Sequence, residues 1–514
     1  MANSRDATLK SVSIVSLCSF GQLVLQFAFQ IVLAGFFGAE SDTDAYFAAM
    51  TFPMVVSTVL VGSLGYAFIP IFIETRDRNG DTVSLDFARE IAALLILTSV
   101  GIAFVASLMT ESLMSSLHPG FHGGQLQTTI ELFKYVVWTI PLQSAIFFLR
   151  SLFHANNRFT APSVGPLAGW LVTIVVVLVT QQSHGIVSVA IGTLAGNILS
   201  VLIHWIYCSI PLQLHHSGLT VSQPTTRCLR LMLPLILGAA YYNLDPLVDR
   251  YLTSNLEEGR IAQMSFAWRI AAALITVTAS ALSMVAFPKF AKYVSDGDNE
   301  GLASEIAAAL RLLVIVSVPI CVGVAAFANA VIHDFFQFGR FTDADTSEVQ
   351  ALLTIYLGVV VGNGIGEITS KVLYSLKAMK MVVIIGVSGF TVGTCLKFSS
   401  VDSMGVRGIA AASSVIAVLN AVWMLILVRR RTGSGAFADV GRTLFRAVVA
   451  SFIGCLIAIM FPLEIRFSVV GVLAVALLAY LVTMYRMGDE YVIRLWQWIL
   501  SRQRKLDPPT GDEV

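Results

Sequence analysis

Apolar runs about twenty residues long recur from one end of this chain of 514 residues to the other, and that is the length an α-helix needs to cross the hydrocarbon core of a bilayer. Lipid offers no hydrogen bonds to an open backbone, so such runs must be helices. Fourteen are expected, near 11–37, 44–73, 87–110, 128–150, 160–181, 186–210, 229–253, 261–287, 305–328, 350–375, 381–399, 404–428, 442–461 and 467–486. The composition agrees, with 56% hydrophobic and 13% charged residues and a mean hydropathy of +0.78. The polar stretches between runs are short, so one all-α integral membrane protein is expected, with no large soluble domain. The first run lacks a small-residue cleavage site and reads as a retained helix, not a signal peptide.

Lys and Arg collect on alternate loops, from Arg76 and Arg78 through Arg150 and Arg158 to the Arg429–Arg431 cluster. Positive loops stay on the cytoplasmic side, which places both termini there. The six cysteines are scattered without a CxxC spacing, so neither a disulfide framework nor a metal knuckle is indicated. The chain contains no GxxxxGK[ST], HExxH or GxSxG motif, and its near-zero net charge gives no reason to expect a nucleic-acid partner. A transporter without its own hydrolytic engine fits better than an enzyme. Gly358, Gly362 and Gly366, spaced by four, predict a small-residue face for close helix packing.

The chain resembles itself at an offset of about 220 residues. YFAAM at Tyr46 aligns with FAWRI at Phe266, AFIP at Ala67 with VAFP at Val285, and LRSLFHANN at Leu149 with SKVLYSLKA at Ser370. Six helices per copy is an even number, which predicts two lobes of like topology, a parallel repeat around a central cavity. The expected division is 1–215 and 216–431 for the lobes, 432–487 for two additional helices, and 488–514 for a cytoplasmic amphipathic tail carrying Trp496 and Trp498.

Charges inside apolar helices are costly, about 2.5 to 3.5 kcal/mol each on insertion scales, and mark function or pairing. In the seventh run Asp245 and Asp249 fall one turn apart on a stripe with Gly238 and Tyr242. Pro246 disturbs the turn beside Asn243, so two carboxylates, an amide and a freed carbonyl offer hard oxygen ligands for a sodium ion, or a site for a proton. An ion pair between Asp245 and Arg269 is the plainer alternative. Arg269, roughly 12 Å inside the membrane at 1.5 Å per residue, lies on a stripe of Ser265, Ala272, Thr276, Ser280 and Ser283 and could hold an anion such as a phosphate. Glu367 and Lys371 read as a local i, i+4 salt bridge.

Several runs resemble the MurJ/MviN family: FGAESDTDAYFAAMTFP from Phe37, AFIPIF from Ala67, NNRFTAP from Asn156, LVDRYLTSNLEEGRIAQMSFAWRI from Leu247, FPKF from Phe287 and FQFGRFTDADT from Phe336. The resemblance implies a fourteen-helix flippase of the bacterial cytoplasmic (inner) membrane. Its cargo would be an undecaprenyl-pyrophosphate-linked glycan lipid, lipid II by default, and its partners cell-wall or polysaccharide synthesis enzymes. It implies functional roles for Asp44 and Arg269, and a sodium ion at Asp249 as in some members. Together with the residues read from the sequence, the expected substrate-facing set is Arg269, Asp44, Arg250, Ser265 and Thr276, the ion-coupling set Asp249, Asp245, Asn243 and Lys397, and the cytoplasmic gate Arg150, Arg158, Glu367 and Lys371.

Two departures stand out. The family places arginines in its first two helices, whereas residues 11–75 here hold no Lys or Arg, and Leu23, Phe29, Ser57 and Thr58 occupy those positions. Lys397 falls where the family often has Asn or Asp near the cation site, which puts its ammonium beside Asp249 unless it snorkels to the membrane surface. The first departure keeps an exopolysaccharide or O-antigen repeat unit open as cargo. An ion-coupled multidrug exporter and a non-transporting scaffold are the remaining alternatives.

Overall fold

The computed structural model describes residues 2–62, 64–208, 222–433, 437–460, 469–494 and 496–497. Among these the secondary structure is helical: α1 (Ala2–Phe37), α2 (Ser41–Gly62), α3 (Leu64–Asn79), α4 (Asp81–Leu108), α5 (Thr110–Leu117), α6 (Gly123–Val136), α7 (Thr139–Ala155), α8 (Thr160–His184), α9 (Val187–Tyr207), α10 (Gln223–Thr253), α11 (Arg260–Ile275), a π-helical turn at Thr276–Ser280, α12 (Ala281–Asp296), α13 (Asn299–Phe336), α14 (Asp343–Ser375), α15 (Met379–Thr432), α16 (Phe437–Met460) and α17 (Val469–Arg486). Eleven stretches of the described residues are long and apolar enough to span a membrane. One of them, α15, holds two expected spans that meet at Gly405, whose φ of 58° and ψ of −141° leave the helical region. With α10 and α17 the fourteen expected spans are accounted for.

Helix ends outrun the apolar runs where polar residues cap them. α14 begins seven residues before its expected start because Thr342 and Asp345 close a capping box: Thr342 N and Oγ1 donate to Asp345 Oδ2 at 2.9 and 2.7 Å, and Asp345 N donates back to Thr342 Oγ1. At α10 the Ser222 hydroxyl accepts from Thr225 N and itself donates to Glu90 Oε2 at 2.6 Å.

The repeat is visible in the turns. Among the described residues, the two non-glycine residues with positive φ, Asn157 (56°) and Lys377 (55°), stand 220 positions apart. Arg158 N donates to Phe153 O in one copy and Ala378 N to Leu373 O in the other. Gly185 and Gly405, also 220 apart, share φ values of 53° and 58°. The LRSLFHANN and SKVLYSLKA match runs into the first of these turns, so there the weak sequence offset reflects one backbone design used twice.

Two compact units divide the chain. The first comprises Met1–Phe266, Phe336–Asp345 and Thr394–Ile409; the second comprises Ala267–Phe335, Thr346–Gly393 and Ala410–Val514. An aromatic core of Phe68, Phe72, Phe87 and Phe148 fills part of the first. In the second, Ala279, Phe290, Ile306, Leu310, Ile368 and Val372 form a comparable cluster. There a Cβ added at Gly358 would lie 2.8 Å from the Ser414 Cβ, and one at Gly362 would lie 2.5 Å from the Ala417 backbone, whereas Gly366 faces nothing within 4 Å. Two of the three spaced glycines therefore do the close packing expected of them.

The tail docks where it leaves α17. The Asp489 side chain is fully buried 3.8 Å from Arg311, which also lies 4.8 Å over the Tyr491 ring, and Trp496 packs on Tyr485. Trp498 and the rest of the expected amphipathic tail lie outside the described residues.

Candidate functional site: buried charge in the first unit

Asp44, one turn into α2, is 1% exposed. Its oxygens accept two backbone N–H groups, Gly259 to Oδ2 and Ala262 to Oδ1, both at 2.6 Å. These are donors of the first turn of α11, which lacks intrahelical partners, and a carboxylate there also meets the positive end of the helix dipole. Gly259 suits the spot: its φ is 87°, and a Cβ would collide with the Ala39 carbonyl. A second tie holds the start of α14, where Gln263 Nε2 donates to Asp345 Oδ1 at 2.9 Å.

The FQFGRFT run belongs to the same framework. Phe336 and Phe341 pack around Phe266 with ring centroids 5.8 Å away, and Arg340 N donates to Gly35 O at 3.0 Å. Gly339, at φ 64°, approaches Gly35 so closely that a Cβ would collide with its carbonyl. The most specific sequence runs are thus tertiary ties between α1, α2, α11 and the segment before α14.

α10 carries a second, half-buried carboxylate group. It runs as one helix past Pro246, with Asp245 and Asp249 on the same side. The Tyr242 side chain, on the same expected stripe, lies outside the described residues. Lys397 of α15 donates its ammonium to Asp245 Oδ1 at 2.7 Å and stands 2.7 Å from Asp249 Oδ1. The lysine is 1% exposed, so it does not snorkel: its stem is buried and its head is neutralised in place. Lys397 reaches Asp245 from 152 positions along the chain. Arg250, one residue after Asp249, donates to Ser265 Oγ at 2.7 Å and lies close enough to Asp249 to act on its charge.

The expected polar stripe on α11 is interrupted. Arg269 is half-buried on α11, and Thr276 is exposed with its hydroxyl donated to Ala272 O. The π turn at Thr276–Ser280 inserts an extra residue, which rotates everything after it by about 100°. Ser283 is accordingly off the stripe, buried with its hydroxyl 3.1 Å from Glu367 Oε1. A spacing of three and four read from sequence assumes an unbroken α-helix and cannot register that turn. Glu367 and Lys371 form the expected i, i+4 pair at 3.6 Å. Arg150 and Arg158 are exposed at the end of α7 and in the turn after it.

Of the positions where the resemblance expects arginines in the first two helices, Phe29 and Ser57 are packed, while Leu23 is half-buried and Thr58 exposed. Phe29 is 2% exposed, with Trp170 at 5.3 Å and Tyr46 at 6.4 Å between ring centroids. Ser57 is 5% exposed.

Known proteins bear on this framework. The Bdellovibrio bacteriovorus protein named "Probable lipid II flippase MurJ" is 22% identical over 441 residues, 84% of each chain. The Burkholderia cenocepacia "Lipid II flippase MurJ" is 23% identical over 429 residues, 78% of this chain and 80% of that one. A solved "Lipid II flippase MurJ, inward closed conformation" superposes with a TM-score of 0.80 at 20% identity, over 92% of this chain and 98% of that one. An inward-facing multidrug resistance MATE family transporter of the MOP superfamily follows at 0.71 and 14% identity, over 82% and 96%. These likenesses establish a MurJ/MATE-like fold, and the family described as "Lipid II flippase MurJ" matches residues 33–480: the chain belongs to the MurJ family.

Proposed function

We propose that this chain is a transporter and not an enzyme: a flippase that carries lipid II, a polyprenyl-pyrophosphate-linked glycan precursor of peptidoglycan, from the cytoplasmic to the periplasmic leaflet of a bacterial inner membrane. The observation that carries this reading is the family match across residues 33–480, supported by the fold. The basic loops support a cytoplasmic location for both termini, and cell-wall synthesis enzymes are the expected neighbours. Movement follows alternating access. Arg269 serves as a headgroup contact through its planar, permanently charged guanidinium. The Asp245, Asp249 and Lys397 cluster is the ion-coupling element, sodium or a proton being the ions its oxygens suit.

Growth of a bacterium depleted of its own lipid II flippase tests the reading. The wild-type chain is expected to restore growth, and Arg269→Ala and Asp249→Asn to restore it poorly at equal expression. Failure of well-expressed wild type would reject lipid II as cargo. One observation favours a second cargo, an exopolysaccharide or O-antigen repeat unit: the absence of Lys and Arg between residues 11 and 75, where Phe29 is packed among aromatic rings. Transport of such a unit by the wild type, with no rescue of lipid II depletion, would decide for it.

A further inference from the structure

Asp245 and Asp249 are one helical turn apart, an arrangement of like charges that needs a positive partner. Lys397 brings an ammonium to 2.7 Å from a carboxylate oxygen of each residue, and its own side chain is only 2% exposed. An ammonium so placed cannot share the position with a metal cation, because a sodium ion would need the same oxygens at shorter range. Nor is it free to leave. It is tethered through α15, so a free ion must displace a competitor present at an effective concentration in the millimolar range or above. Arg250 adds a second fixed positive charge near Asp249. Two carboxylates, one ammonium and one guanidinium sum to neutrality without any ion from solution.

The stretch that carries Lys397 adds to this. Thr394–Ile409 belongs to the first compact unit, although the α15 residues on either side of it belong to the second. Within that stretch Gly405 leaves the helical region, and Phe398, next to Lys397, contacts Tyr251 of α10 at 6.4 Å between ring centroids. The ion contact therefore fastens this stretch of α15 to α10.

We propose that Lys397 is a resident cation: it takes the place of a free sodium ion between Asp245 and Asp249 and latches the 394–409 stretch of α15 to α10, so that this transporter has no sodium requirement. The proposal refines the ion-coupling part of the proposed function, leaving the proton as the exchangeable ion. It does not depend on the cargo.

The test uses the purified full chain in detergent micelles, unfolded by heat in sodium chloride and in choline chloride at equal ionic strength. Wild type is expected to unfold at the same temperature in both. Lys397→Asn is expected to unfold several degrees lower in choline, to recover saturably with added sodium, and to exchange backbone hydrogens faster over residues 394–409. Lys397→Arg, which keeps the charge, is expected to remain indifferent to sodium. A saturable sodium-specific rise in the wild type would overturn the proposal whatever the variants do. So would a Lys397→Asn chain as stable as wild type in choline, or one with unchanged exchange over 394–409. None of these readouts involves transport, so their failure leaves the flippase reading standing, and failure of the growth rescue leaves this one standing.

Discussion

Two carboxylate sites in the first unit solve the same problem in opposite ways. Asp44 is held by backbone, two N–H groups of one helix end; Asp245 and Asp249 are bridged by a single side chain from far along the sequence. A carboxylate held by amides asks only that two helices stay in place, and it spends its acceptor capacity on the fold. A carboxylate held by an ammonium keeps a removable, charge-sensitive partner. Asp44 is thus suited to framework, and the α10 pair to function.

The comparison is broken most forcefully by removing the ammonium. Lys397→Met leaves two carboxylates on one turn of α10 with Arg250 as the nearby positive charge, and the loss should be about 3 kcal/mol, the lower end for a broken buried ion pair because the Asp245 side chain is 38% exposed. Denaturant or thermal unfolding of the solubilised chain measures it, and adding Asp245→Asn and Asp249→Asn to the same chain should restore most of it. Asp44→Ala comes next. It strands the Gly259 and Ala262 N–H groups, at roughly 1 to 3 kcal/mol for a buried donor left unmade. Asp44→Asn keeps one acceptor and should lose less than Asp44→Ala; equal losses would show that charge, not hydrogen bonding, holds α11.

A pH-dependent effect comes from a buried base near the same groups. His118, between α5 and α6, is 1% exposed and stacks on Phe121 at 5.3 Å. Burial lowers its pKa from 6.5 to about 4, a shift reinforced by the Arg250 charge. The folded chain therefore keeps it neutral while the unfolded chain takes up a proton below 6.5. Its contribution is fully present above pH 6.5 and drains away as pH falls toward 4, by at most one proton, about 1.4 kcal/mol per pH unit. His118→Gln should flatten the stability profile across that window; an unchanged slope would place the titration elsewhere.

Local pattern made much of this legible. Apolar run length marked the spans, and the offset of 220 marked the repeat that Asn157 and Lys377 later displayed as matching turns. The i, i+4 spacing placed Asp245 with Asp249 and Glu367 with Lys371. Lys397 was singled out only because the family resemblance expects another residue there, and its second partner, Asp245, was not foreseen. Nor was the π turn that takes Ser283 off the Arg269 face, because a one-residue insertion leaves no trace in composition.

By itself, then, the sequence determined that this chain spans a membrane as helices, that it is built twice over, and which charges lie at membrane depth. Each of these follows from hydropathy and short-range geometry, which act along the chain. The tertiary structure alone decided which charge meets which. The Lys397 and Asp245 contact crosses 152 positions, and that of Asp44 with the Ala262 amide crosses 218. In an apolar interior a buried charge must find a partner somewhere, but only the packing of helices determines where.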